Sequence, residues 1–382
     1  MFDVIQNRRV LFGAGAIDRL GALLAAEHYR SVFVLAFRRE APCVQKTLEA
    51  LEEARIPYVL DASLHGEPST LDIDRIAAAA RAAKPDAILA VGGGSTMDAA
   101  KAVAMLVTNE GGIEPYQMEG KPITTPALPF FAVPTTSGTG SEATKVSVVY
   151  NPKNHLKKSF YDRSMIAQAV VLDPQLVVDL RRDVTVSTGV DALSHAIESY
   201  VSLDATPYTE MFSLQAMRLV CQSLETCAAH PHDLQARGDM MLASYFGGCA
   251  LNAGIGLAHI IAQPLGGLIH IPHGVACAIY LPYAMRYNVE YSTAKYCDIA
   301  RVFGASGETG LALAQEGIAR VEALLTRLGA PNSIADYVDE TFSIDAAVDA
   351  VRGATGHIAC NPRPVTREAI YEGIHQSIRK GV

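Results

Sequence analysis

The sequence has no excess of positive charge and no long uninterrupted apolar run. Its 382 residues include 32 Lys and Arg against 40 Asp and Glu, which gives a formal net charge of −8. This balance argues against binding a nucleic-acid backbone or an anionic membrane by bulk electrostatic attraction. The richest apolar stretch, residues 255–271, is interrupted by histidines, glycines and Pro264, so it lacks the ~18 apolar residues of a membrane-spanning helix. We therefore expect neither a nucleic-acid partner nor a membrane partner.

Paired cysteines and a secretion signal are also missing. The seven cysteines are scattered and none forms a C-x-x-C motif, which is typical of reduced thiols and not of a disulfide framework or a zinc knuckle. The first 15 residues contain no apolar segment followed by a cleavage site, which predicts that the protein is not secreted. These absences predict a soluble, cytoplasmic protein.

Apolar residues, in contrast, are abundant. They make up 49% of the chain, while charged residues make up 19%. This composition excludes a disordered or low-complexity protein. The length exceeds that of one small module and suits two domains, since a domain usually takes ~100–200 residues.

The first 180 residues alternate between strand and helix patterns. Short β-branched runs at Ser31–Ala36, Ala87–Val91 and Phe130–Val133 are separated by stretches with helical periodicity, which predicts a parallel sheet covered on both faces. A further strand pair is expected at Lys145–Tyr150 and Ala169–Leu172.

Beyond Asp173 and Pro174 almost every pattern is helical. The predicted fold is therefore an α/β N-terminal domain over residues 1–180, with a Rossmann-like parallel sheet, followed by an all-α domain over residues 181–382. Stretches with helical patterning in the second part are 187–201, 210–230, 235–252, 293–303, 311–328 and 366–373.

A glycine loop follows one predicted strand. Gly92, Gly93 and Gly94 lead into a helix that we expect to begin at Ser95, with Asp98 completing a variant capping box. Glycines allow close backbone approach, and a helix N-terminus offers free N–H groups to a pyrophosphate. A tight turn with glycines for packing is an equally good explanation. The hydroxyl-rich segment 133–144 follows the next strand and lines a nucleotide or forms an ordinary loop.

Four potential metal ligands lie in apolar segments. Asp191 and His195 are four residues apart, so they share one face of a helix. His259 and His273 are in separate apolar segments downstream. Taken singly, the first two could be an ordinary helix pair and each other histidine a satisfied core residue. A divalent ion such as Fe²⁺ or Zn²⁺ would give all four buried groups a common partner.

Four ordered motifs closely resemble those of the iron-containing (group III) alcohol dehydrogenases. They are GGGSTMDAAK at 92–101, PTTSGTGSEAT at 134–144, GVDALSHAIESY at 189–200 and GLAHIIAQPLGGLIHIPHG at 256–274. The resemblance implies a dinucleotide-binding domain followed by a helical metal-binding catalytic domain. It also implies NAD or NADP as cofactor, Fe²⁺, Zn²⁺ or another divalent ion, a small alcohol or aldehyde as substrate, and a homodimer or larger homo-oligomer.

The resemblance also implies roles for individual residues. The metal ligands would be Asp191, His195, His259 and His273. The expected cofactor-binding residues are Gly93, Gly94, Ser95, Asp98, Thr135, Thr136, Thr144 and Lys157. Cys360 matches a position close to the substrate pocket in some members.

Two positions depart from the family pattern. Many members have a histidine, often assigned to proton relay, where this chain has Gln263, which can orient a substrate or water but cannot titrate. Many NAD-specific members have an aspartate where Phe37 stands here, followed by Arg38 and Arg39. Without a carboxylate to repel a 2′-phosphate, we expect NADPH to be tolerated. Alternatively, both arginines simply face solvent.

The substrate is less well defined. Lys158, next to Lys157, suggests an anionic aldehyde or keto acid carrying a carboxylate, phosphonate or sulfonate, although a solvated charge also explains it. Dehydroquinate synthase-like lyases combine the same kinds of cofactor, metal and loop, but the motifs at 134–144 and 256–274 favour the dehydrogenases. A catalytically weak binder of metal and nucleotide is the third possibility, because of Gln263.

Overall fold

The computed structural model describes residues 2–353 and 355–378. These residues form two compact units. The first contains residues 2–136, 140–180 and 232–241, and the second contains residues 137–139, 181–231 and the described residues from 242 onwards.

The first unit is built around a parallel sheet, as predicted. The strands of the chain are β1 (Arg9–Phe12), β2 (Val32–Ala36), β3 (Tyr58–Asp61), β4 (Ala87–Gly92), β5 (Phe130–Pro134), β6 (Val146–Asn151), β7 (Leu156–Tyr161) and β8 (Ala169–Leu172). Six of them pair in parallel in the order β1-β8-β5-β4-β2-β3. The strands β2, β4 and β5 are buried along their whole length, which explains why their sequences are continuous apolar runs.

The predicted pairing of Lys145–Tyr150 with Ala169–Leu172 is wrong. The strand β6 pairs instead with β7 in an antiparallel hairpin, and β8 belongs to the main sheet between β1 and β5. The strand β7 has the sequence LKKSFY and leaves most of its residues partly or fully exposed. The sequence did not predict this strand because strands are recognised chiefly by their apolar residues, and β7 is mostly polar.

Five helices belong to the first unit. They are α1 (Leu20–Ala26), α2 (Pro42–Glu53), α3 (Thr70–Ala83), α4 (Gly94–Thr108) and α5 (Glu114–Met118). Their starts follow local rules. The Ser69 side chain caps α3 in a reciprocal capping box with Asp72, and α2 begins with Pro42, a residue whose missing N–H costs nothing there. Apolar side chains of α1 and α2 pack with those of the sheet into one core.

The second unit is helical throughout its described part. Its helices are α6 (Arg182–Val201), α7 (Pro207–Ala229), α8 (Leu234–Ala250), α9 (Leu257–Ile269), α10 (His273–Asn288), α11 (Thr293–Val302), α12 (Leu311–Leu328), α13 (Ile344–Gly353) and α14 (Arg367–Ile378), with the first residues of α8 belonging to the first unit. The fold class, an α/β part with a parallel sheet followed by an all-α part, is thus confirmed. Apolar residues of α9, α10, α13 and α14 share one core.

Within residues 2–353 and 355–378, no single helix is long and apolar enough to cross a membrane. The segments Leu234–Ala253 and Leu257–Ile269 reach the required length and composition only as a pair, and the chain bends by 102° between them.

Candidate metal centre and glycine loop

One face of α6 carries three buried polar side chains. Asp191, His195 and Glu198 are only 2–4% exposed. Their spacing of four and three residues brings them to the same side of the helix. This burial excludes the explanation that Asp191 and His195 are an ordinary pair on the helix surface. Each buried polar group requires a partner.

Two further helices bring histidines to this face. His259 lies in the first turn of α9, and His273 is the first residue of α10. The Oδ1 atom of Asp191 is 3.4 Å from Nε2 of His259 and 3.6 Å from Nε2 of His273. Gly274 makes this approach possible, because a Cβ atom there would lie 2.4 Å from the backbone oxygen of Ser187 in α6.

One compact group of potential ligand atoms differs from the predicted set by one member. Asp191, His259, His273 and Cys277 each offer an atom, and these four atoms all lie within 4.8 Å of one another. His195 is outside this group, and its ring stacks on that of His259 with 4.5 Å between the centroids. The structure therefore brings Asp191, His259 and His273 together, with His195 beside them and a cysteine added.

Glu198 fixes the orientation of His259. The Nδ1–H of His259 donates to Oε2 of Glu198 at 2.5 Å, and the backbone N–H of Ala258 donates to Oε1 at 2.6 Å. With Nδ1 occupied, the free lone pair of the ring is on Nε2, which faces Asp191. Such a carboxylate–histidine pair is the usual outer support of a metal-bound imidazole.

Burial and electrostatic coupling shift the pKa of Asp191, His195, His259 and Cys277. Burial lowers the pKa of His195 to about 4, against the attraction of Asp191. Burial alone would raise the pKa of Asp191, but the neighbouring imidazoles outweigh it and lower that pKa. Burial also opposes charging of His259, yet the neighbouring Cys277, Glu198 and Asp191 together raise its pKa well above the usual value. The thiol of Cys277, itself buried, has its pKa raised to about 12.

The donor atoms fit a divalent ion. Oδ1 of Asp191, Nδ1 of His195 and Nε2 of His259 are buried and make no hydrogen bond within the part of the chain that the structure describes. Leaving such an atom unsatisfied costs about 1–3 kcal/mol. A cation between Asp191 and His259 removes that cost for both atoms at once, and mixed carboxylate and imidazole donors suit Fe²⁺ and Zn²⁺.

Two other predicted residues lie on or beside α9. Gln263, half-buried, is four residues after His259 on α9. The Sγ–H of Cys360 donates to the carbonyl of Ile255 at 3.1 Å, and a Cβ atom on Gly254 would lie 2.6 Å from that sulfur. Cys360 therefore packs against the segment that leads into α9.

The glycine loop joins β4 to α4, but its capping differs from the prediction. The helix begins at Gly94, its N-cap is Gly93, and no side chain caps it. Ser95 is thus inside the first turn, and the expected Ser95–Asp98 capping box is wrong. The uncapped N–H groups at this end of the 15-residue helix are available to an anion.

Asp98 instead anchors the hydroxyl-rich segment. It accepts hydrogen bonds from the Ser141 hydroxyl at 2.6 Å and from the Val148 N–H at 3.2 Å. The fully buried Lys101 donates to Ser141, to Thr144 and to the Val146 carbonyl. Burial lowers the pKa of Lys101 to about 8. This network attaches residues 141–148 firmly to α4.

The predicted threonines surround the glycine loop. The N–H of Thr135 donates to the Gly92 carbonyl at 2.9 Å. A Cβ atom on Gly93 would lie 3.1 Å from Cγ2 of Thr136, so a larger residue would fill the space before the helix. Thr144 is held by Lys101. Gly93 and Thr136, at the carboxyl ends of β4 and β5, therefore approach each other closely.

The remaining predicted cofactor and substrate residues lie on other elements of the first unit. Phe37 directly follows β2 and packs partly against the sheet core, while Arg38 and Arg39 after it are exposed. Lys157, with a side chain 10% exposed, forms an ion pair with Glu67 at 2.5 Å. Lys158 is exposed and, as the next residue in β7, points to the opposite face.

Sequence reasoning missed Glu198 and Cys277. Both follow a predicted ligand at helical spacing, Glu198 three residues after His195 and Cys277 four residues after His273. Since residues three or four apart share a helix face, the argument that joined Asp191 to His195 could have included Glu198. For Cys277 the spacing alone does not separate a ligand from an ordinary buried cysteine.

Comparison with known proteins identifies the family. Residues 7–174 match the family described as iron-containing alcohol dehydrogenase, and residues 185–378 match the C-terminal part of the Fe-containing alcohol dehydrogenase family. The chain is 35% identical to 1,3-propanediol dehydrogenase of Klebsiella pneumoniae over 344 residues, 88% of each chain. It is also 35% identical to sulfoacetaldehyde reductase of Bilophila wadsworthia over 333 residues, 86% of each chain.

A solved structure agrees with these matches. The crystal structure of a 1,3-propanediol oxidoreductase superposes with a TM-score of 0.93 at 32% identity and covers 99% of this chain and all of that chain. The fold, the order of the motifs and both family matches extend over nearly the whole sequence. The chain therefore belongs to the iron-containing alcohol dehydrogenase family.

Proposed function

We propose that this protein is a metal-dependent, nicotinamide-linked dehydrogenase that interconverts a small alcohol and its aldehyde. The observation that carries this proposal is the set of buried donor atoms on Asp191, His195 and His259 that have no hydrogen bond among the described residues. Asp191, His195, His259 and His273 would hold the divalent ion. A structural role alone does not explain such a costly cluster.

The divalent ion and the nicotinamide would supply the chemistry that is typical of this family. When bound, the ion polarises a carbonyl or lowers the pKa of an alcohol, and the nicotinamide gives or accepts the hydride. Glu198 keeps His259 in one tautomer, with Nδ1 protonated. Gln263 orients a substrate or a water but does not titrate, so the proton that the reaction moves must reach solvent through another group.

The first unit would bind the dinucleotide. Gly93, Gly94 and Ser95 would cradle the pyrophosphate at the start of α4, next to Asp98. Thr135, Thr136, Thr144 and Lys157 would contact the rest of the nucleotide. The uncapped N-terminus of α4 and the short approach between Gly93 and Thr136 support this assignment.

The choice between NAD and NADP depends on the residues after β2. Phe37 has no carboxylate to repel a 2′-phosphate, and the exposed Arg38 and Arg39 follow it. We expect the enzyme to use both cofactors, with kcat/KM for NADPH within tenfold of the value for NADH. A preference of tenfold or more for NADH contradicts this expectation.

An anionic aldehyde is the second substrate candidate. The similarity to a sulfoacetaldehyde reductase favours it. Lys157 is engaged by Glu67, whereas Lys158 is exposed, so Lys158 would be the lysine that meets the anionic group. The Cys360 side chain, which packs beside Ile255, remains a predicted pocket residue.

The test is chelator-sensitive hydride transfer. Protein purified without oxygen is assayed with NADH and NADPH against short neutral aldehydes and against carboxylated, phosphonylated and sulfonated ones. The assay is repeated after EDTA and after adding back Fe²⁺ or Zn²⁺. Turnover that disappears with chelation and returns with one ion supports the proposal. Absence of turnover with every ion and aldehyde rejects it in favour of a lyase or a binding protein, and the Gln263→His variant then tests for an impaired proton relay.

We also propose the setting in which the enzyme works. Residues 1–180 would form the dinucleotide-binding domain and residues 181–382 the catalytic domain of a cytoplasmic homodimer or larger homo-oligomer. No disulfide links the seven cysteines in the part of the chain that the structure describes, and reduced thiols would suit a cytoplasmic enzyme. Light scattering of the purified protein measures the mass of the assembly.

A further inference from the structure

Cys277 faces the donor cluster, although nothing in the predicted ligand set includes it. It lies in α10 four residues after His273, on the same face of the helix, and it is fully buried. Its Sγ atom is 3.7 Å from Nε2 of His273. A buried cysteine usually packs as a small apolar residue, but this one is surrounded by the imidazoles and carboxylate of Asp191, His259 and His273.

Three separations among the four donor atoms suit a single coordination sphere. Ligand atoms bound at about 2.0–2.3 Å from one ion, with angles of about 90–120° between them, lie about 2.8–4.0 Å from one another. The measured separations are 3.4 Å between Asp191 and His259, 3.6 Å between Asp191 and His273, and 3.7 Å between His273 and the sulfur. Each value falls inside that interval.

We propose that Cys277 supplies a sulfur ligand to the metal ion, in addition to Asp191, His195, His259 and His273. This inference rests on the proposed function in requiring that the site holds a divalent ion. Coordination replaces the S–H bond with a metal–sulfur bond and releases the proton to solvent, as metal binding to cysteine does generally.

A sulfur ligand has consequences for the choice of ion. Thiolates favour zinc and similar borderline or soft ions, whereas carboxylate and water suit manganese and magnesium. We therefore expect the site to bind Zn²⁺ and Co²⁺ much more tightly than Mn²⁺. Replacing Cys277 by Ser should reduce the difference between the affinities for Zn²⁺ and Mn²⁺, because the substitution removes the sulfur donor while it changes the side-chain volume little.

The first test detects a sulfur ligand directly by spectroscopy. Metal-free protein is loaded with one equivalent of Co²⁺, and its near-ultraviolet spectrum is recorded, where a thiolate ligand gives an intense charge-transfer band. The band should be present in the wild type and absent in Cys277→Ser. Cys297→Ser is the matched control, since Cys297 is equally buried but bonds to the backbone of Gly310 and is not part of the donor cluster. That variant should keep the band.

A second measurement does not depend on any variant folding. X-ray absorption at the zinc edge of the wild-type zinc protein should fit one sulfur at about 2.3 Å together with nitrogen and oxygen ligands at about 2.0–2.2 Å. A first shell of nitrogen and oxygen alone overturns the proposal. A cobalt-loaded wild type without a charge-transfer band overturns it as well.

Failure of this inference and failure of the proposed function give different results. If Co²⁺ binds without a sulfur band while aldehyde reduction is normal, only the role of Cys277 is wrong. If one equivalent of Co²⁺ binds with the band but no aldehyde is reduced, the sulfur ligand is supported and the dehydrogenase activity is not. If neither Co²⁺ nor Zn²⁺ binds, both proposals fail.

Discussion

At the scale of single residues, Glu198 decides how well His259 can bind a metal. Its two carboxylate oxygens accept from Nδ1 of His259 and from the N–H of Ala258. Glu198→Gln keeps the size of the side chain but removes the charge. We expect the affinity for Zn²⁺ to fall by about 10–100-fold, the usual cost of losing an outer hydrogen-bond partner. Competition with a chromogenic chelator measures it.

A matched substitution checks the specificity of that effect. Glu225 makes an exposed ion pair with Arg327 on helices α7 and α12, so Glu225→Gln should leave zinc affinity unchanged. Equal affinities of the wild type and Glu198→Gln would mean that the hydrogen bond to His259 does not support the ion.

Glu142 should give the protein a pH-dependent stability. Burial raises the pKa of its carboxyl to about 7, although Lys101 lowers it in part. The native state then holds a proton over the interval between the ordinary value of 4.5 and about 7. The stabilisation from Glu142 is present below that interval and is lost as the pH rises through it, on the order of 3 kcal/mol in total.

Urea midpoints measured between about pH 5 and pH 8 test this prediction. The midpoint of the wild type should decline across the interval more steeply than that of Glu142→Gln, which cannot titrate. Glu53→Gln, at an exposed position in α2, should follow the wild type. Parallel curves for the wild type and Glu142→Gln would contradict the assigned pKa.

Residue identity alone predicted part of the candidate centre. Asp and His are unusual in apolar segments, so Asp191, His195, His259 and His273 could be singled out from the sequence. Cys277 could not be distinguished in the same way, because cysteine is among the residues most often buried without a function. Its position beside His273 and Asp191 follows from the packing of α10 against α6, which no local pattern reports.

At the scale of elements, the approach of α10 to α6 depends on Gly274. A Cβ atom there would lie 2.4 Å from the Ser187 oxygen, and this contact is with backbone that cannot rotate away. Gly274→Ala should push the two helices apart. Since ligand distances in metal sites hold to within about 0.2 Å, we expect zinc affinity to fall at least about tenfold.

The same substitution should lower stability by about 1–3 kcal/mol through overpacking. Gly310→Ala is the control, because no atom lies within 4 Å of the Cβ it would gain. Chelator competition and urea unfolding are measured on both variants. Wild-type affinity in Gly274→Ala would show that the donor set does not depend on this close approach.

Element prediction failed for two helices that contain an internal proline. The helices α9 and α10, which carry both distal histidines, were absent from the predicted helices. Their prolines, Pro264 and Pro282, are residues that normally mark the end of a helix in a sequence. By contrast, α7 and α12 have no proline in the helix interior and were predicted nearly to their observed bounds.

At the scale of the whole molecule, fold class followed from pattern, but the composition of the compact units did not. Apolar runs separated by helical periods are sufficient to predict a parallel sheet. Residues 137–139 belong to the second unit and residues 232–241 to the first. The assignment of these two segments depends on contacts between residues far apart in sequence. For example, a Cβ atom on Gly138 would lie only 2.6 Å from Thr188. Short-range sequence patterns carry no information about such contacts.

Metal removal should destabilise the protein measurably. The site joins α6, α9 and α10, so an ion that binds only the native state stabilises it by about 2.7 kcal/mol at a free concentration of 100 times Kd. For a unit of this size that corresponds to about 5–10 °C in Tm. Calorimetry with Zn²⁺ and with excess EDTA measures this shift in Tm.

Two controls test whether the shift comes from this site. Mg²⁺ should not replace Zn²⁺, because it prefers an octahedral set of oxygen ligands, and Asp191→Asn should abolish most of the shift. If EDTA leaves Tm unchanged in protein shown to contain the ion, the buried donors do not bind it.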